Sequence, residues 1–171
     1  MTFTQEEFTQ IYNGHIEQIY RFCYLKVSSK PDAEDLTQGV FLKLLEYVKN
    51  QDEKIENTRA FLYQIARNSI TDYYRDRGRA PLHLEDKEEL RETIPSPDAP
   101  EHPLFINSDM RDISRALTNI NQEYADLVIW HYIDDLSIPE ISQINGKSEG
   151  TNRVTLHRAL KALKEGMTSG D

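Results

Sequence analysis

The chain has 171 residues, with 20 basic against 29 acidic side chains, a net charge of −9 and a single cysteine. It is long enough to bury a core as one average domain or two small ones, and two small helical domains are the expected form. The acidic balance excludes a protein that coats nucleic acid by bulk charge, and the lone cysteine excludes an internal disulfide. With no basic-then-apolar leader and no apolar run of about 18 residues, neither export nor membrane insertion is expected, and the expected location is the reducing cytoplasm.

Residues 3–27 carry Phe8, Ile11, Tyr12, Ile16, Ile19, Tyr20 and Cys23 at three- and four-residue steps, the spacing of one helix face. A second helix is expected over 31–48. Pro31 suits a first turn, and Asp32, Glu34 and Asp35 complement the positive end of the helix dipole. Leu36, Val40, Leu44 and Val48 face the core, whereas Asp35, Gln38, Leu42, Leu45 and Lys49 take the other side, with Phe41 at its edge. Exposed leucines among polar groups suggest a protein-binding face. Stray surface leucines are the plainer alternative.

A polar loop over 49–57 leads to a third helix, expected over 58–79 with Thr58 as its cap. Phe61, Leu62, Ile65, Ala66, Ile70 and Tyr73 form its apolar arc. Opposite stand Gln64, Arg67, Thr71 and Arg75, flanked by Tyr63 and Tyr74. Residues 59–79 hold five arginines and two aspartates, a local charge of +3 in an acidic chain. Arginine offers phosphate a planar charged fork, and a tyrosine ring offers an unstacked base roughly 1–3 kcal/mol of stacking. The mixture suits a partly single-stranded nucleic acid, although an amphipathic helix with solvated arginines fits the same pattern.

Five of the seven prolines, Pro81, Pro95, Pro97, Pro100 and Pro103, then fall among acidic residues. An extended acidic linker is expected over 80–108, with a helical turn near Glu88. Helical periodicity returns from Met110, in Ile113, Ala116, Leu117 and Ile120, and again in Tyr124, Leu127 and Val128. Ser137 and Glu140 have capping-box spacing ahead of a short helix over 138–144, and Asn145 with Gly146 supplies a left-handed stop. Ser148 can cap a last helix over 149–165. Helix, glycine-containing turn, helix is the DNA-binding pattern whose second helix enters the major groove, with an interaction-only hairpin as the alternative. On that helix Leu156, Ala159, Leu160 and Leu163 turn inward. Thr151, Val154, His157, Arg158, Lys161 and Lys164 turn outward, with Arg153 at the edge, a mixture of charge, hydroxyl and methyl that can read base edges. Asn152 falls on the inner face and is expected to bond local backbone near the turn at 145–148.

Three segments, DAEDLTQGVFLKL (32–44), RAFLYQIARNSITDYYRDRGR (59–79) and LSIPEISQINGKSEGTNRVTLHRALKALK (136–164), stand in an order that resembles the bacterial sigma-70 family. The resemblance is to its small extracytoplasmic-function members and covers roughly residues 5–165. It implies an all-α fold, with a region 2-like domain over 1–79, a flexible linker over 80–108 and a region 4-like helix-turn-helix domain over 109–171. It further implies a promoter-recognition subunit of core RNA polymerase, without catalytic residues, cofactor or metal. Asp32, Asp35, Gln38, Phe41 and Leu42 would dock on the clamp helices of the largest polymerase subunit. Tyr63, Arg67, Asn68, Tyr74 and Arg75 would capture the opened minus-ten element of promoter DNA, and Thr151, Arg153, His157, Arg158 and Lys161 would contact the duplex minus-thirty-five element. An anti-sigma factor is a candidate further partner. The chain departs from the family pattern at Gly39, where glutamate is usual, and at Asn152, where an aliphatic side chain is usual. A stand-alone helix-turn-helix regulator, binding an operator as a dimer, is the alternative. An all-helical enzyme is disfavoured, because the five histidines are scattered and no Cys/His spacing suits a metal.

Overall fold

The computed structural model describes residues 4–50, 55–78 and 108–169, and all of their regular structure is helical. The expected linker and the turn near Glu88 lie outside the described residues, apart from Ser108, which opens a helix.

Helix α1, Gln5–Val27, starts from a capping box that the sequence reading did not anticipate. Thr4 Oγ1 accepts from the Glu7 N–H, and the Glu7 carboxylate accepts from the Thr4 N–H, each at 3.1 Å. It stops at Ser28, whose left-handed backbone (φ 56°) breaks the ladder. Helix α2, Lys30–Asn50, and helix α3, Thr58–Arg77, pack on α1 to complete an N-terminal unit. The cap of α3 is Asn57, one residue before the expected Thr58: its Oδ1 accepts from the Ala60 N–H at 3.0 Å. Both residue types cap well, and periodicity does not separate neighbours at a helix start. Ile19, Phe22, Cys23, Val40, Leu44, Leu62, Ala66 and Ile70 are buried at the centre of this unit.

The C-terminal unit comprises α4, Ser108–Thr118; α5, Gln122–Val128; α6, Ile138–Asn145; and α7, Glu149–Ser169. Between α5 and α6 the chain widens into a π-helical turn at Ile129–Ile133, closed by Asp134 N–H to the Ile129 carbonyl at 2.9 Å. The capping box of α6 forms as the spacing predicts, and Gly146 (φ 74°) ends that helix in the left-handed region. Ser148 Oγ then accepts from the Thr151 N–H at 3.1 Å, so the turn between α6 and α7 is capped on both sides.

The two units pack directly on each other. Trp130, 1% exposed, stacks on Phe22 of α1 with ring centroids 5.7 Å apart and meets Tyr63 of α3 edge-on at 6.1 Å. Two ion pairs lie beside this aromatic cluster. Arg21 reaches Asp134 at 2.6 Å, and Lys26 reaches Asp126 at 2.6 Å with both side chains nearly sealed from solvent. At the rim Arg59 pairs with Glu140, and Gln64 Nε2 donates to the Gln143 carbonyl at 2.9 Å.

Candidate nucleic-acid interface

Helix α7 has one closed face and one open face. Leu156 and Ala159 are buried against the rest of the C-terminal unit, while Thr151, Arg153, Val154, His157, Arg158 and Lys161 are all exposed. Thr151 Oγ1 lies 2.9 Å from Ser148 Oγ at the helix start, where backbone N–H groups also point outward. Arg153 rests on Glu149 at 3.3 Å, a solvated pair one turn apart. Such exposed pairs contribute little, so exchanging Glu149 for a phosphate costs little.

Asn152 is fully buried, as its inner-face position predicts, and its hydrogen bonds are made mainly with side chains. Its Oδ1 accepts from Asn145 Nδ2 at 2.8 Å, its Nδ2 donates to Ser142 Oγ at 3.0 Å, and the Lys147 carbonyl lies 3.5 Å from Nδ2. The amide therefore ties α6, the turn and α7 together. Asn152→Val is expected to lower the melting temperature of the full chain, since the buried partner groups lose about 1–3 kcal/mol of hydrogen bonding. A variant that melts higher would show the amide network to be dispensable.

On α3 the expected nucleic-acid face divides. Asn68, Thr71 and Arg75 are exposed and Arg67 is half-buried. Tyr63, expected beside the basic arc, is instead fully buried, and its hydroxyl donates to Asp134 Oδ2 at 2.5 Å. Burial, then the neighbouring carboxylate, pushes its phenol far above the ordinary range. The helical wheel missed this because the C-terminal unit covers that side of α3 and widens the buried arc. Tyr74 is half-buried, donating its hydroxyl to the Lys26 carbonyl with its ring edge-on to Tyr73, so its ring is not an open stacking platform.

On α2, Asp35, Gln38 and Leu42 are exposed on one side, Leu42 at 59%. Phe41 is 3% exposed and packs edge-on against Tyr12 at 5.0 Å, so it belongs to the core and not to a docking face. It lies beside Leu44, at the edge of the buried arc of α2, which packs on α1. Asp32 is partly buried, accepting from the Tyr73 hydroxyl and from Arg77 Nη2 at 3.0 Å. A groove of about 340 Å³ runs between α2 and α3, lined by Asp35, Gly39, Lys43, Asp72 and Asp76 among others. A Cβ added at Gly39 meets nothing within 4 Å, so packing does not demand glycine there.

Residues 11–80 match the Sigma-70 region 2 family and residues 110–163 match Sigma-70, region 4. The ECF RNA polymerase sigma factor SigF of Caulobacter vibrioides is 31% identical over 154 residues, covering 85% of this chain and 77% of SigF. The chain belongs to the sigma-70 family. Its similarity to ECF sigma factors extends to BldN of Streptomyces coelicolor, 26% identical over 92% of this chain, although the chain spans only 59% of the length of BldN. The fold matches that of the sigma factor RpoE from Bartonella quintana, solved with the anti-sigma factor NepR. The TM-score is 0.70 at 22% identity, over 95% of this chain and 98% of RpoE.

In this chain the region 2 match takes in most of α1 together with α2 and α3, and the region 4 match runs from α4 into α7. The residues that join the two regions escaped the sequence reading: Arg21, Lys26, Arg59, Asp126, Asp134 and Glu140. A signal was present, since Lys26 interrupts an apolar run and Asp126 and Asp134 flank another, and buried charges require partners. Burial pushes the Asp126 and Asp134 carboxyls up, opposed by Lys26 at the first and by Tyr63 and Arg21 at the second. At Glu140 partial burial also pushes up, but hydrogen bonds from Arg59 and the Ser137 backbone outweigh it and hold the carboxyl below its ordinary value. Among the described residues no cluster of His, Cys, Asp or Glu is placed to hold a metal, and no helix is long and apolar enough to cross a membrane.

Proposed function

We propose that this chain is a cytoplasmic promoter-recognition subunit that joins core RNA polymerase and directs initiation, without chemistry of its own. The observation that carries the reading is α7: a helix whose inner face closes a helix-turn-helix and whose outer face presents Arg153, Val154, His157, Arg158 and Lys161 to solvent. In this reading residues 109–171 contact the duplex minus-thirty-five element through that face, with Thr151 on phosphate. Residues 1–79 dock on polymerase and hold the opened minus-ten element, using Arg67, Asn68 and Arg75, and residues 80–108 link the two. RpoE of B. quintana is seen with an anti-sigma factor, which supports a partner of that class here.

The deciding experiment is reconstitution with core polymerase on a promoter library. Specific initiation that depends on both this chain and core supports the reading, and a core-independent footprint on a symmetric operator replaces it with a stand-alone regulator. The docking face gives a separate expectation. Because Asp35 and Leu42 are exposed, Asp35→Ala with Leu42→Ala should leave the melting temperature unchanged. Removing a docking cluster of this kind should weaken core binding about tenfold or more. Unchanged affinity in a pull-down titration removes these residues from the interface.

A further inference from the structure

At about 100° per residue, α7 sets Val154 and Lys161 on the crest of its open face, opposite the buried Asn152, Leu156 and Ala159. Thr151 and Arg158 flank this crest on one side, Arg153 and His157 on the other. Val154, 51% exposed, is thus an apolar side chain ringed by a hydroxyl, two guanidinium groups and an imidazole. Neither packing nor solvation explains a valine there. It points away from the core, and a β-branched residue is a poor choice for a helix crest left in water. One turn earlier on the same crest stands Gly150, where an added Cβ would meet nothing within 4 Å, so packing does not demand glycine either. The start of α7 is therefore low on its outer side, with short side chains at Gly150, Thr151 and Val154.

The N-terminal part of a reading helix is the part that meets base edges. A low crest lets the backbone come close to the floor of the major groove, and only then does a side chain as short as valine touch a base. The apolar group that base pairs present in that groove is the C5-methyl of thymine. We propose that Val154 selects a thymine in the upstream promoter element by packing its γ-methyl groups on that C5-methyl. Arg158 lies one turn further along, about 6 Å by helix rise, which is about two base-pair steps at about 3.4 Å each. The selected thymine then lies within about two base pairs of whatever Arg158 contacts. A protein is the poorer occupant of this crest, because interface centres are depleted of charge and Val154 is enclosed by Arg153, Arg158 and Lys161. This inference rests on the duplex-reading role proposed for α7 and deepens it by naming a base.

Deoxyuridine in place of thymidine removes the methyl and nothing else. The full-length chain with core polymerase is titrated against a promoter selected from the library, each thymine of the upstream element on either strand being replaced in turn. The wild-type chain should lose about fourfold in affinity at one position, the effect of one methyl no longer buried. In Val154→Ser that position should become indifferent to uracil, and in Val154→Thr, which keeps one γ-methyl, it should stay sensitive. A merely structural role for Val154 would weaken binding to every promoter and leave the uracil effect in place. The proposal is overturned by an upstream element in which no thymine responds to uracil, or by a response that persists in Val154→Ser. It is overturned as well if Val154→Ser binds core polymerase more weakly in the absence of DNA, which gives the crest to a protein. If the wild-type chain supports no core-dependent initiation, the sigma-factor reading fails by itself. The same uracil scan, run on a duplex that the chain binds alone, still decides Val154.

Discussion

Replacing Trp130 by alanine is expected to lower the melting temperature of the chain by about 6–20 °C, from a loss of about 3–5 kcal/mol at roughly 2–4 °C per kcal/mol. The indole is 1% exposed and bridges the two units by stacking on Phe22 and meeting Tyr63 edge-on. Its removal takes away transfer energy and leaves a cavity whose walls come from α1, α3 and the π-helical turn, three elements that cannot all collapse inward together. Thermal melts of Trp130→Ala, Phe22→Ala and the double variant form a cycle. The aromatic pair should show a coupling of about 0.5–1.5 kcal/mol. Additive losses would mean that the rings do not touch in solution.

Arg158→Ala is expected to reduce initiation by roughly ten- to a hundredfold, the effect of losing one bidentate base contact of about 1–3 kcal/mol. Arg158 is exposed on the open face of α7, and no hydrogen bond or ion pair is seen for it among the described residues, so its fork is available to a base edge. Arg153 starts from a pair with Glu149 and should have the smaller effect. The measurement is initiation on promoters that differ only in their upstream element. A loss that ignores the upstream sequence assigns Arg158 to phosphate and ends its role in base reading.

Local chemistry was legible in the residues alone. The Ser137–Glu140 capping box, the stop at Gly146 and the burial of Asn152 follow from spacing and side-chain type, because each is decided within a few residues. What escaped was decided at long range. A helical wheel puts Phe41 at the edge of an outward face and Tyr63 on the flank of a basic one, because it knows one helix and not what covers it. The partner of Asp134 lies 113 residues away at Arg21, and no pattern in the sequence links the two. The π-helical turn at Ile129–Ile133 also left no trace, since its apolar residues fit an ordinary helix equally well.

The aromatic seam carries a cost during synthesis. Tyr63 precedes Trp130 by 67 residues, so at about 5–20 residues per second a nascent chain waits roughly 3–13 s between them. Contacts within α1–α3 are mostly between neighbours in sequence and can form in that interval. Until Trp130 is made, Phe22 and Tyr63 lack the ring that packs on both of them in the folded chain. The half-translated polypeptide is then the species most prone to aggregate, and a ribosome stalled between Gly78 and Trp130 should be the strongest bait for chaperones.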